Sequence, residues 1–399
     1  MTSPEPHGPR AASGGDTPRT FHAALAPLLH VFGLDVLTAF TVGMVPPLLP
    51  VLAGDFGLST VEAGLVNTVY AAGRLAGSYP ASRIRARWGT RAAVFLGIAG
   101  LIAGSAVCGL APTFAGFLVG RLVMGLGASA AFLAIFGELL EAAPGPWRGR
   151  LANAFEAMAI VSIAVGGVLG AAVARAVGWR GVFVAVGPLL LLGFAAWRPL
   201  GPEAGRGRPG AGGDAGAARR ATVRPLVPVY FASLAMGLTW SGLYPTLVPL
   251  VGAAHYRLDA TGLGWAMGAG YLAEVLGLAA LGLVIDRVRR EPAFLVGALS
   301  VTAGGLLLAW ATQTGGFVVG LILIGAGFAV WMIPATVLAD RAGTPLPPGH
   351  LAAYRIVMDT GMILGPLLLG GLAELAGDRV AVGVAGFVVV IGALAMLRR

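Results

Sequence analysis

The sequence predicts an all-α polytopic membrane protein with twelve transmembrane helices in two pseudo-symmetric six-helix bundles. Three observations support this prediction: an apolar composition, a series of long apolar runs, and an internal repeat. Of the 399 residues, 57% are hydrophobic and only 11% are charged, whereas soluble domains are usually about 25% charged. A mean hydropathy of +0.84 therefore indicates a chain solvated mainly by lipid.

The apolar runs define the predicted spans, since a helix needs about 20 mostly apolar residues to cross a ~30 Å hydrocarbon core. Such runs lie at about 23–51, 61–81, 92–110, 114–139, 152–176, 180–199, 225–252, 262–285, 292–311, 316–339, 351–375 and 379–397. The predicted domains are a disordered cytoplasmic tail (1–22), an N-terminal six-helix bundle (23–200), a flexible cytoplasmic linker (201–224) and a C-terminal six-helix bundle (225–399).

The arginines indicate the orientation. All 27 basic residues are arginine; with the N-terminus in the cytoplasm, 20 fall in cytoplasmic segments, 4 in outer loops and 3 inside spans. Because cytoplasmic loops of membrane proteins are enriched in basic residues, we expect a multi-pass protein of the bacterial inner membrane with both termini cytoplasmic. The net charge of +9 does not indicate nucleic acid as a partner, because the arginines form short clusters between apolar runs.

Several classes of protein are disfavoured. The single cysteine, Cys108, excludes internal disulfides and cysteine-based metal clusters, and the five histidines are scattered. Without lysine there is no P-loop for an ATP-driven pump, and neither HExxH nor GxSxG occurs. We therefore predict no enzyme and no cofactor or metal; the expected partners are the lipid bilayer and a small-molecule substrate, and the expected state is a monomer. A channel and a non-transporting sensor stay open as alternatives.

The two halves match each other at an offset of about 200 residues. The segment Gly43–Pro50 (GMVPPLLP) corresponds to Gly242–Pro249 (GLYPTLVP), and the glycines of GxxxxGxG at 120–127 recur at 320–327. Parallel repeats of this kind occur in transporters that bind substrate at the interface between the halves. A channel or a membrane enzyme with two duplicated halves is the alternative architecture.

These motifs resemble the major facilitator superfamily, and the resemblance extends from residue 23 onward. The loop Ser82–Arg91 (SRIRARWGTR) matches the family's Gly-x-x-x-Asp-Arg-x-Gly-Arg-Arg loop at Arg87, Gly89 and Arg91, but has alanine in place of the aspartate. The second half keeps the acid, as Asp286 followed by Arg287. The resemblance implies that these five residues take part in conformational gating.

Two further segments are similar to family signatures. Arg121–Ala128 (RLVMGLGA) resembles the Arg-x-x-x-Gly-x-Gly-Ala signature, which implies a role in proton coupling, and Gly166–Ala171 (GGVLGA) resembles the antiporter signature with alanine replacing its proline. The resemblance is strongest to twelve-span drug:proton antiporters. It implies a secondary transporter that exports amphipathic or drug-like compounds with protons as the coupling ion. The alternative is a proton symporter or facilitator that imports a small metabolite.

Charged residues inside spans are costly and are therefore functional candidates. Asp35, Arg121, Glu156 and Asp359 are the predicted proton-coupling residues. Asp35 could instead be hydrogen-bonded to Thr38 or pair with Arg121, and Glu156 could pair with the cytoplasmic arginines at 148 and 150.

The remaining predictions concern the gates and the cavity. Arg355 and Asp359 are spaced as an i, i+4 pair, and Arg74 and Glu274 occupy equivalent repeat positions with opposite sign, where they could latch the halves together. Glu138 and Glu141 could pair with the loop arginines. A cavity with aromatic walls suits amphipathic substrates, and the candidate residues are Trp240, Tyr244, Trp265 and Trp331, with Phe40 and Tyr70 near them.

Overall fold

The computed structural model describes residues 20–144, 147–199, 226–284, 288–342 and 348–398. The predicted linker and most of the predicted tail lie outside these ranges. The described chain is helical, which confirms the all-α prediction. Its α-helices are α1 (Phe21–Leu25), α2 (Leu29–Gly43), α3 (Leu49–Phe56), α4 (Thr60–Leu110), α5 (Phe114–Ala142), α6 (Arg148–Ala196), α7 (Val227–Gly242), α8 (Val248–Tyr256), α9 (Ala260–Val284), α10 (Arg290–Trp310), α11 (Thr314–Phe328), α12 (Ile333–Ala342), α13 (Pro348–Ala376) and α14 (Asp378–Leu397).

Among the described residues, ten helical stretches are long and apolar enough to cross a membrane. Two of them, α4 with 51 residues and α6 with 49, are each interrupted by one glycine with positive φ. Gly89 has φ 85° and ψ 172°, and Gly178 has φ 73° and ψ 164°. This backbone region is open almost only to glycine, so each glycine separates two helical arms.

Packing against α5 shows that the two arms of α4 run in opposite directions. In the first arm, Gly73 faces Leu122 and Gly77 faces Leu126, so residue numbers rise together. In the second arm, Gly97 faces Ala131 whereas Gly104 faces Gly120, so numbers rise in opposite senses. The α4 chain is therefore a helical hairpin that reverses at Gly89.

The proline-containing repeat produces a break at the same place in each half. A short 3₁₀ turn at Pro46–Leu48 separates α2 from α3, and a π-helical turn at Leu243–Leu247 separates α7 from α8. Proline removes a backbone donor and clashes with the preceding turn, which explains why both breaks contain one. The internal match of the sequence is thus also a match in backbone geometry.

The described residues pack around two hydrophobic cores. One contains buried residues between 24 and 197, and the other contains buried residues between 226 and 396. Many large apolar side chains point outward, including Leu283 and Leu375. Contiguous exposed apolar surface of this kind is typical of contact with lipid.

Hydrogen bonds and an ion pair join the two halves toward one end of the molecule, the end that holds Ser59. Glu374 accepts from the backbone N–H of Val61 at 2.8 Å, and Arg175 pairs with Asp259 at 2.9 Å. Toward the Gly89 end, the pairs Arg85–Glu141, Arg290–Asp340 and Arg341–Glu291 each lie within one half. Within the described residues, the halves are therefore tied at the Ser59 end.

Candidate functional site

A cavity of about 200 Å³ lies between the two halves. Its walls come from corresponding elements of the repeat: α2, the first arm of α4, α5 and the first arm of α6, facing α7, α9, the α11–α12 segment and α13. The lining residues are Asp35, Thr38, Ala39, Val42, Tyr70, Arg74, Ala128, Phe132, Glu156, Ala159, Ile160, Ile163, Trp240, Glu274, Leu278, Phe328, Ala329, Trp331, Met332, Arg355, Met358 and Met362. The cavity therefore combines apolar walls with five charged side chains.

Asp35 lies on α2 with only 3% of its surface exposed, and its Oδ2 atom is buried without a hydrogen-bond partner. The Thr38 hydroxyl, which the sequence suggested as a partner, donates instead to the backbone carbonyl of Asp35 at 2.9 Å. Glu156 lies near enough for the two carboxylates to repel each other. A buried carboxyl group without a compensating donor is costly unless a proton or a cation neutralises it.

Glu156 lies on the first arm of α6 and interacts electrostatically with Arg355 and Arg74. Arg355 comes from the C-terminal half and also forms the ion pair with Asp359, at 3.8 Å from Nε to Oδ2. The predicted i, i+4 pair is therefore present, but Asp359 itself does not line the cavity. Glu156 thus interacts with one arginine from each half.

Arg74 and Glu274 both line the cavity, as their equivalent repeat positions allow. They do not form the predicted latch, because no ion pair within 4.0 Å joins them in the described part of the chain. The structure instead leaves these opposite charges on the walls contributed by the N-terminal and C-terminal halves.

Two of the four aromatic candidates form a wall of the cavity. Trp240 and Trp331 meet edge to face with ring centroids 5.9 Å apart. Trp331 lies where the helix is interrupted between α11 and α12, just before Pro334, and this interruption turns its ring toward the cavity. The sequence WMIP contained the signal for this break, since proline interrupts a continuous helix but is tolerated in the first turn of a new one, as Pro334 is in α12.

The other two aromatic candidates lie elsewhere. Tyr244 is fully buried behind the wall, where its hydroxyl donates to the Met267 carbonyl at 2.9 Å. Trp265 is 66% exposed on the outside. Hydropathy does not separate a cavity-facing ring from a lipid-facing or core ring, because all three surroundings are apolar. For the same reason the sequence did not single out Phe132 or the methionines of α13.

Arg121 is buried beside the cavity rather than in it, with 1% of its surface exposed. Its Nε donates to the Val66 carbonyl at 3.0 Å, and its guanidinium lies 4.4 Å from the centroid of the Tyr70 ring. The suggested pair with Asp35 does not form within the described residues. Arg121 contacts Tyr70, which lines the cavity.

The predicted gating residues of the loops lie in different environments. Gly89 forms the α4 reversal, and Arg87 and Arg91 are exposed beside it. The loop arginine that pairs with Glu141 is Arg85, at 2.6 Å. Two further predictions, Asp286 and Arg287, lie outside the described residues.

Comparison with known proteins places the chain in a family. The sequence matches the Major Facilitator Superfamily over residues 31–342 and again over 229–399. The chain belongs to this family of membrane transporters. The resemblance read from its motifs is confirmed, as is the prediction that it is a transporter rather than an enzyme.

Individual relatives show how far the likeness extends. The chain is 28% identical to the D-xylose-proton symporter-like 2 protein of Arabidopsis thaliana over 176 residues, covering 44% of this chain and 35% of the relative. It is 29% identical to Multidrug resistance protein MdtL of Escherichia coli O81 over 184 residues, covering 44% of this chain and 45% of that protein. The matches thus span less than half of each relative. A crystal structure of a POT family transporter in complex with 5-aminolevulinic acid has the same fold, with a TM-score of 0.72 at 13% identity, covering 94% of this chain and 95% of that one.

Proposed function

We propose that this protein exports amphipathic compounds across the bacterial inner membrane in exchange for protons, by alternating access of the cavity between its halves. The observation that supports this most directly is the buried, unpartnered Oδ2 of Asp35 in the cavity wall. A carboxyl group in this position can take up a proton while the cavity faces one side and release it on the other. The partial match to a multidrug resistance protein favours export.

The architecture that we infer has twelve spans, because the hairpin at Gly89 and the interruption at Gly178 divide two of the ten apolar stretches. Both termini are cytoplasmic in this arrangement, and the Gly89 end faces the cytoplasm. The ties at the Ser59 end then close the outer side, which is what an inward-facing state requires. Transport proceeds when these ties open and the Gly89 end closes around the loaded cavity.

Everted vesicles with an acidified lumen provide the test of coupling. A panel of amphipathic compounds and small metabolites is added, and a pH-sensitive dye follows the lumen. Proton-coupled export predicts release of luminal protons when a substrate is added, and Asp35→Asn is expected to abolish this release. Asp378→Asn is the matched control, because Asp378 lies outside the cavity and pairs with His255 of the same half.

The sign of the response separates export from the alternative. The relative named as a proton symporter suggests the alternative, a symporter that imports a metabolite. A symporter moves protons together with its substrate. Protons would then leave the lumen only when the substrate is inside the vesicles. Release that persists in Asp35→Asn would remove Asp35 from the proton path and direct attention to Glu156.

Cysteine labelling tests the spans and their orientation. The only natural cysteine, Cys108, is buried, so single cysteines can be introduced against a low background. A membrane-impermeant thiol reagent applied to intact cells is expected to label cysteines at Ser59 and Thr113 but not one at Thr90. Labelling of all three positions would place them on the same side of the membrane. This result would contradict the inference that the chain crosses the membrane on each side of the hairpin at Gly89.

A further inference from the structure

Arg74 and Glu274 present opposite charges to one cavity without neutralising each other. Arg74 belongs to the first arm of α4, and Glu274 belongs to the corresponding helix of the second half, α9. Glu274 has 6% of its surface exposed and forms no hydrogen bond or ion pair with another described side chain. An ionised carboxylate in such surroundings needs a positively charged partner, and a ligand bound in the cavity can supply it.

The other charged residues of the cavity already have partners or a separate task. Glu156 interacts with Arg355 and Arg74, and Arg355 also pairs with Asp359. Asp35 has no arginine among its electrostatic partners, but the proposed function uses it for the proton. Among the described residues, Glu274 is then the remaining carboxylate of the cavity that forms no ion pair with an arginine.

Size and wall chemistry restrict the ligand further. A cavity of about 200 Å³ is smaller than the pockets of roughly 300–1,000 Å³ that hold drug-sized molecules. The rings of Trp331 and Trp240 and the side chain of Met332 line it on the side of the C-terminal half. These groups suit a compact apolar or aromatic body, and a Trp ring also attracts an ammonium group.

We propose that the transported compound is a small amphipathic zwitterion, whose ammonium group binds Glu274, whose carboxylate binds Arg74 and whose apolar body lies against Trp331 and Trp240. The ligand supplies the link between the two halves that the protein does not make directly. This proposal rests on the proposed transport function and specifies the substrate class. It also gives the substrate a mechanical role, because a molecule that bridges the two walls favours closure of the cavity around it.

Binding to the purified full-length protein, without any proton gradient, provides the test. Three compounds share one skeleton: L-phenylalanine carries both charges, phenethylamine carries only the ammonium group, and 3-phenylpropionate carries only the carboxylate. An indole series and a branched-alkyl series repeat the comparison. In wild type, at least one zwitterion is expected to bind about tenfold or more tightly than either of its singly charged analogues, because each analogue leaves either Glu274 or Arg74 without an opposite charge from the ligand.

Two variants that each remove one charge identify the residues. Glu274→Gln is expected to bind the zwitterion no better than the carboxylate analogue, and Arg74→Gln no better than the amine analogue. Each variant therefore loses its preference for the zwitterion over one particular analogue. A general loss of folding would instead weaken the binding of all three compounds. Asp378→Asn is the matched control and should keep the wild-type preference, because Asp378 lies outside the cavity and pairs with His255. Monodisperse elution checks that all variants are folded.

Three results would overturn the proposal: equal binding of the amine and the zwitterion in wild type, a preference for the zwitterion that survives in Glu274→Gln, or failure of all three zwitterions to bind. The proposed function is judged separately by the proton signal in vesicles. Zwitterion binding without proton exchange refutes the coupling and keeps the substrate class. Proton exchange with compounds that lack either charge refutes the substrate class and keeps the coupling.

Discussion

The guanidinium group of Arg121 lies 4.4 Å from the centroid of the Tyr70 ring, and its Nε donates to the carbonyl of Val66, one helical turn earlier on the same helix. Between these two contacts lie Asn67 and Thr68, which bond across to the C-terminal half. Asn67 donates to the Pro245 carbonyl at 3.1 Å, and Thr68 donates to the Ile363 carbonyl at 3.0 Å. Arg121 therefore positions a segment that contacts both the cavity and the opposite half.

Replacing Arg121 by methionine is expected to slow transport while leaving the fold intact. A buried guanidinium without a carboxylate gains little net stability, so the free energy of unfolding should stay within about 1 kcal/mol of wild type or rise. Transport should fall because Tyr70 and the bonds of Asn67 lose their support. Denaturant unfolding and vesicle transport are measured on the same preparation, and a stability loss above about 3 kcal/mol would show that Arg121 is mainly structural.

Gly43→Ala is expected to destabilise the contact between α2 and α6. A methyl group there would overlap the backbone of Ile163, and forced overpacking costs about 1–3 kcal/mol. Gly33 lies on the same helix with open space at its Cβ position, so Gly33→Ala should be neutral or slightly stabilising. Thermal unfolding of the two variants measures the difference, and equal stability would contradict the close approach of these helices.

Gly89→Ala is expected to cost about 1–3 kcal/mol through backbone strain alone. No neighbouring atom lies within 4 Å of a Cβ at this position, but φ is +85°. Gly282→Ala is the control, because that Cβ position is also open and its φ is not positive. Comparable unfolding temperatures for both alanine variants would mean that the reversal does not need glycine.

The Arg175–Asp259 pair at the Ser59 end is expected to weaken in acid. The pKa of Asp259 lies below its ordinary value, mainly because its carboxylate accepts a hydrogen bond from the Gly262 backbone and also because of Arg175. A lowered pKa stabilises the folded state above the unfolded value of about 3.9, and this contribution disappears as the pH falls through the folded value.

Asp259→Asn isolates the charge in this pair, because asparagine still caps the start of α9. The side chains are largely exposed, so wild type should exceed the variant by only about 0.2–1 kcal/mol near neutral pH. The difference should begin to shrink as the pH falls below about 3.9 and should vanish only once the pH is below the lowered folded pKa. Thermal unfolding across pH provides the measurement, and a difference independent of pH would exclude the ion pair as its source.

Hydropathy and charge were sufficient to predict a helical membrane protein, and the motifs were sufficient to predict its family. These properties are readable because lipid forces every backbone polar group into internal hydrogen bonds and demands long apolar runs. The repeat at an offset of about 200 residues also has a direct physical meaning, since Pro46 and Pro245 break equivalent helices. The family signature singled out Gly89, and the positive φ of this residue explains why the position requires glycine.

Only the tertiary structure decided which intramembrane residues meet. Asp35, Glu156, Arg74, Glu274 and Arg355 come from five helices and share one cavity, whereas Arg121 lies behind Tyr70. Tyr244 and Trp265 have the same local hydropathy signal as Trp240, yet one is in the core and the other on the surface. Helix rotation and packing determine which face a side chain occupies, and a sequence in which nearly every face is apolar does not record that rotation.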